Sequence, residues 1–184
     1  REGPRAMAML ELLYATGMRV SELVSLNVED VDLEQGSVRC FGKGSKERII
    51  PIHRGAADLI SIYLGNGHGQ RTRPRFEKAL FLSIRGRRMT RQGFWLALKR
   101  TAINAGISKR VTPHMIRHSF ATHLLRGGAP LRYVQEMLGH ASISTTQVYT
   151  HLNNEHMLIE FDRSHPRAGL SNPLTSPEPV STQW

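Results

Sequence analysis

One stretch of this chain breaks its helical periodicity, and that break limits the fold more than any other feature. Ser37–Phe41 and Arg48–Ile52 read as two short strands around the turn Gly42-Lys43-Gly44-Ser45-Lys46. Pro51 cannot donate to a ladder, so the return strand belongs at a sheet edge. Nearly everything else carries helix signals. The expected fold is therefore mainly α with a small antiparallel β-sheet, an α+β domain.

The helices follow from their start and stop residues. Pro4 suits a first helical position, and Ala6, Leu10, Leu13 and Tyr14 recur at helical spacing up to Gly17. A short helix is expected from Val20 to Leu26, and another from about Ala56 to Leu64. Residues 65–79 are rich in Gly, Arg and Pro and read as a loop, followed by an extended piece at Leu80–Ser83. Thr90 caps a helix to about Ala105, and Thr112-Pro113 opens one that stops at Gly127-Gly128. Pro130 opens a helix closed by Gly139, and Ser142 caps a short one ending near Tyr149. Asn153 or Asn154 caps the last, which runs to Phe161. Residues 162–184 hold four of the nine prolines and several Ser and Thr, and are expected to be largely disordered. The expected layout is one domain over 1–161 and a tail.

With 184 residues, 40% of them hydrophobic, one domain with a proper core is affordable without disulfides or metals. The single cysteine, Cys40, excludes an internal disulfide and a thiolate metal cluster. No apolar run approaches the ~20 residues that span a bilayer, and no signal-peptide pattern opens the chain. A reducing, cytoplasmic setting with no membrane partner is expected. Arg1 in place of Met suggests a fragment or a processed product. Lys and Arg number 25 against 15 Asp and Glu, a net charge of +10, so polyanions, above all nucleic acid, are the expected partners.

Several residues carry candidate chemistry. His114 and Arg117 are three apart on one helix face, beside the apolar stripe of Ile116, Phe120 and Leu124. An imidazole and a guanidinium near a helix N-terminus suit a phosphate, and they also suit the plain surface of a basic protein. His114 and His118 have the spacing of a zinc pair. The Glu of that signature is missing, however, and Arg117 stands between them, so no metal is expected. The Gly-Lys-Gly-Ser-Lys turn lacks the Walker spacing. Arg19 lies between two helices, with Glu22 placed to hold its guanidinium. Tyr149 follows a polar run that permits exposure of its phenol. Arginines cluster between residues 71 and 91, in loops and at a helix start where phosphate contacts are common.

Four segments together, "TGMRVSEL", "GKGSKERIIPI", "PHMIRHSFATHLL" and "LGHASISTTQVYTHL", resemble the signature blocks of tyrosine site-specific recombinases of the bacterial and archaeal Xer type. The resemblance runs from about residue 5 to residue 168, including the late "HPRA". It implies the catalytic-domain fold shared with type IB topoisomerases. It also implies roles: Arg19 and Arg117 as phosphate-binding arginines, Lys43 as the hairpin lysine, His114 and His140 as the two site histidines, and Tyr149 as nucleophile. Glu22 matches an acidic position that supports Arg19. Lys46, Arg88 and Arg91 are expected to contact DNA. The family pattern usually has Leu where this chain has Ile116.

The implied reaction is strand cleavage and rejoining through a 3′-phosphotyrosyl bond, with no cofactor, metal or ATP. The implied partners are a double-stranded recombination site and further protomers in a homo- or hetero-tetramer. Residues 154–161 are expected to dock on a neighbouring protomer. Family members also carry an N-terminal domain that clasps DNA and is not found in this chain, which implies either a catalytic half or a free-standing relative. Chromosome dimer resolution, integration of a mobile element, a topoisomerase-like activity and a DNA-binding module without catalysis all stay open at this point. A metal-dependent nuclease is opposed by the lack of a carboxylate cluster.

Overall fold

The computed structural model describes residues 3–42, 47–65, 77–139 and 151–168. Its centre is helix α1 (Gly3–Thr16), where Ala8, Met9, Leu12, Leu13 and Ala15 are fully buried. A helix apolar on so many sides belongs inside rather than on a surface. Helix α3 (Arg54–Gly65) packs against it, as does α5 (Pro113–Arg126). α1 ends at Gly17, whose φ of +58° lies in the left-handed region and whose N–H closes on the Leu13 carbonyl at 2.9 Å. The Phe120 ring takes the space a side chain would need there, so glycine is required twice over.

A short helix, α2 (Val20–Ser25), follows, then a 3-10 turn at Val28–Asp30. Strands β1 (Val31–Asp32), β2 (Ser37–Phe41) and β3 (Glu47–Pro51) form an antiparallel sheet in that order. The hairpin matches expectation to within a residue, and Pro51 does lie on an edge strand. β1 escapes a sequence pattern because two residues carry no period. Cys40 pairs with Arg48 and Val38 with Ile50, so these four side chains share the core face.

Helix α4 (Arg91–Asn104) starts at Thr90, whose hydroxyl accepts the Gly93 N–H at 3.0 Å. α5 starts likewise, with the Thr112 hydroxyl accepting the Met115 N–H at 3.3 Å and Pro113 in its first turn. Phe120 and Leu124 are buried and Ile116 partly so, as the stripe requires. α6 (Leu131–Leu138) closes on Gly139 at φ +66°.

The last helix, α7 (His151–Ser164), differs from expectation at both ends. Asn153 and Asn154 lie inside it rather than capping it, and it runs three residues beyond Phe161. Packing overrides the local polar signal: Phe161 and Ser164 are both buried. Beyond α7 the described residues continue to Ala168. His165 stacks on Phe161 at a centroid distance of 4.7 Å and meets the Tyr14 ring edge-on at 5.2 Å. Arg167 Nε and His53 Nε2 lie 2.9 and 3.1 Å from the same Glu11 oxygen, off hydrogen-bond angles, and so tie the segment after α7 to α1. The helix expected to dock on a neighbour thus lies on its own domain here, through Met157 and Phe161. The short helix expected at Ser142–Tyr149, most of the 65–79 loop and residues 169–184 fall outside the described residues.

Candidate active site

The link from Gly17 delivers Arg19 to the start of α2 in extended conformation, φ −76° and ψ 152°. Glu22, in the first turn, reaches back so that its Oε2 accepts the Arg19 backbone N–H at 2.7 Å. Its Oε1 accepts from the Arg19 guanidinium at 3.2 Å. The pairing of Arg19 with Glu22 expected from their spacing is therefore present.

A third residue, not expected from the sequence, completes this group. Arg48 of β3 grips Glu22 with both terminal nitrogens, at 3.1 and 2.8 Å, and its Nε donates to the Met137 carbonyl at 2.9 Å. The two side chains are 9% and 6% exposed. The signal for it was available. The hairpin register sets Arg48 opposite Cys40 on the core face, and an arginine on that face needs a buried carboxylate.

Arg117 arrives from α5. Its Nη1 donates to the Gly17 carbonyl at 2.6 Å, one hundred residues away in the chain, and its Nη2 to the Leu138 carbonyl at 2.8 Å. Phe120, one turn on, packs on the same Gly17. One helix face thereby seats Arg117 beside the segment that leads to Arg19.

The electrostatics follow from this crowding. Burial pushes the Glu22 carboxyl up, but the Arg48 hydrogen bonds, the Arg19 N–H and the charges of both arginines outweigh it and hold the group below its ordinary value. Burial brings Arg117 down to about 10, helped by the charge of Arg19 and then Arg48 and opposed by Glu22, so it remains a cation at neutral pH. Three guanidiniums against one carboxylate leave a net +2 (three minus one). Arg19, 46% exposed, is the cation of the Glu22 pair that faces solvent. Such an arrangement is built to receive an oxyanion.

The remaining expected residues are distributed as follows. His114 is exposed in the first turn of α5, and Arg91 is exposed at the first position of α4. Lys43, Lys46, His140 and Tyr149 lie outside the described residues. Gly139, next to His140, sits against the Arg48 guanidinium, where a Cβ would meet Nη1 at 3.0 Å. α7 begins two residues after Tyr149.

Arg88 is engaged within the fold. Its Nη1 donates to the Val24, Ser25 and Leu26 carbonyls at 3.1, 2.6 and 3.1 Å, and its Nη2 to Asn27 Oδ1 at 2.6 Å. The carbonyls at a helix C-terminus have no partners of their own and carry partial negative charge. Arg88 satisfies those of α2, and its side chain remains 37% exposed.

Among the described residues no group of three or more His, Cys, Asp or Glu side chains can hold a metal ion. His118 is exposed, and His123 Nδ1 is hydrogen-bonded to the Tyr14 hydroxyl at 2.8 Å. Also among them, no helix is long and apolar enough to cross a membrane. Burial raises the Cys40 thiol to about 12, which makes it a packing residue.

A profile of the phage integrase family matches residues 2–156. The chain is 56% identical over 164 residues to tyrosine recombinase XerD of Halalkalibacterium halodurans, covering 89% of this chain and 55% of that protein. It is 54% identical over 171 residues to tyrosine recombinase XerC of Herpetosiphon aurantiacus, covering 93% and 55%. The chain thus spans about half the length of the curated relatives it matches. Among solved structures, that of a XerA recombinase matches with a TM-score of 0.71 at 35% identity, covering 90% of this chain and 59% of that one.

Proposed function

The chain belongs to the phage integrase family, the tyrosine recombinases, and from that premise we propose that it is the catalytic domain of an Xer-type site-specific recombinase acting in chromosome dimer resolution. The observation that carries this reading is the seating of Arg117 on the Gly17 carbonyl, which brings together the two arginines expected to bind the scissile phosphate. The similarity to proteins named XerD and XerC favours it over integration of a mobile element. Its partners would be a double-stranded recombination site and other recombinase protomers, in the cytoplasm.

Attack on a phosphodiester raises its negative charge towards two in a five-coordinate transition state. Arg19 and Arg117 hold the non-bridging oxygens, and His140 donates a further hydrogen bond. The Tyr149 phenol oxygen bonds to phosphorus while the bond to the 5′-oxygen breaks. A free phenol titrates near 10, so it needs a base, and His114, at the open end of α5, accepts its proton. Lys43 supplies the proton that the departing 5′-oxygen takes. The phosphotyrosyl ester keeps the energy of the broken bond, so an incoming 5′-hydroxyl reverses the step without ATP.

The test is a nicked suicide substrate carrying the recombination site. The expected result is an SDS-resistant protein–DNA adduct that forms in EDTA and is lost in Tyr149→Phe. Cleavage that requires a divalent metal, or binding that never yields an adduct, overturns the proposal.

A further inference from the structure

Arg48 has no part in the scheme above, yet all three of its guanidinium nitrogens are committed. At 9% exposure it is closed off from a ligand, whereas Arg19 is open to one. We propose that Arg48 is a positioning residue: by occupying both oxygens of Glu22 it limits the Arg19 guanidinium to one bond with that carboxylate and leaves its other donors for a phosphate oxygen. The inference rests on the reading of Arg19 as a phosphate ligand.

The chemistry of the pair explains why a second arginine is needed. A carboxylate three residues from an arginine at a helix start draws it into a two-point contact, since the fork of guanidinium donors matches both oxygens. An Arg19–Glu22 pair closed in that way is neutral and turned inward. Here the two-point contact is made by Arg48, and Arg19 keeps one 3.2 Å side-chain bond. Arg48 also braces the opposite wall. It and Arg117 take adjacent carbonyls, Met137 and Leu138, at the end of α6. A shift of Arg48 therefore moves the acceptor of Arg117 as well as the partner of Arg19.

The experiment uses the full-length protein carrying this chain and measures single-turnover adduct formation on two suicide substrates. One has the ordinary scissile phosphate and the other a methylphosphonate, which is uncharged and asks less of Arg19. Arg48→Met is expected to slow the adduct ~100-fold on the phosphate, the scale of losing one oxyanion donor, while DNA affinity holds within about threefold. On the methylphosphonate the loss is expected to shrink to about tenfold or less. Arg48→Lys keeps the charge without the fork and should fall between.

The double variant Glu22→Gln with Arg48→Met removes the trap for Arg19 and leaves no unpaired buried carboxylate. It should form adduct faster than Arg48→Met alone; if that variant does not fold, Arg48→Lys decides the matter, since it should be slower than the unaltered protein on the phosphate and less so on the methylphosphonate. Equal losses on both substrates, no loss, or a double variant no faster than the single one each overturn the inference while leaving the functional reading intact. Absence of adduct from the unaltered protein overturns both.

Discussion

The ring of Phe120 occupies the space that a side chain at Gly17 would fill, while Arg117, three residues earlier on the same helix, donates to the Gly17 carbonyl. Core packing and site geometry thus meet at one residue. Gly17→Ala adds a Cβ at φ +58° and pushes it into that ring. The left-handed conformation costs an L-residue about 1–2 kcal/mol, and overpacking adds about 1–3 kcal/mol. Urea unfolding should register a loss of at least about 2 kcal/mol. Adduct formation should fall further than stability explains, because the acceptor of Arg117 moves. Gly106→Ala is the control, since it shares the positive φ but meets nothing within 4 Å.

The buried pair of Glu22 and Arg48 sets part of the acid stability. The folded carboxyl titrates below its unfolded value, so its contribution is complete above the unfolded range of about 4.3 and is lost as pH falls through the folded value. The groups facing it are Arg19, Arg48 and Arg117, with Cys40 beside Arg48 on the sheet. Glu22→Gln leaves Arg48 buried without a counter-charge and should cost about 3–5 kcal/mol at pH 7. Its stability should then change less than that of the unaltered protein between pH 5 and 3, as measured by chemical denaturation across that range.

His165 carries a second pH dependence. Burial first, then the neighbouring His53, lowers it to about 3, so the folded protein holds it neutral where an unfolded chain protonates it. The unfolded state therefore takes up the proton below about 6.5, and stability falls from there towards the folded value. At pH 5 the loss relative to pH 7 should be about 2 kcal/mol. His165→Phe keeps the stacking on Phe161 and should flatten that decline in paired urea titrations at the two pH values.

Most helices were legible because their ends are written in single residues: Thr90 and Thr112 at starts, Gly17, Gly106 and Gly139 at stops. What escaped depends on contacts distant in sequence. The end of α7 is set by Ser164 and His165 going into the core, although their neighbours are polar and a proline follows. The Arg48–Glu22 pair joins a strand to a helix 26 residues away, and only the hairpin register hints at it. Arg88 is the opposite case: an arginine in a basic run invites a phosphate, and the open carbonyls of α2 also lie within its reach.

Arg88 and Arg91 therefore predict opposite phenotypes from the same substitution. Arg88→Ala strips the end of α2 of a charged cap that reaches three carbonyls and the Asn27 side chain. It should lower stability by about 1–3 kcal/mol. If that guanidinium serves these carbonyls and not a phosphate, the dependence of log affinity on log salt should keep its slope once folding is controlled for. Arg91 stands exposed at the N-terminus of α4. Removing it should leave the melting temperature within about a degree or two, because surface substitutions stay within about 0.5 kcal/mol. If it neutralises one phosphate, as expected from the sequence, the salt slope should fall by about 0.9. Equilibrium binding at several salt concentrations, paired with a thermal melt, separates the two. A salt slope that falls for Arg88→Ala and not for Arg91→Ala would reverse the assignment.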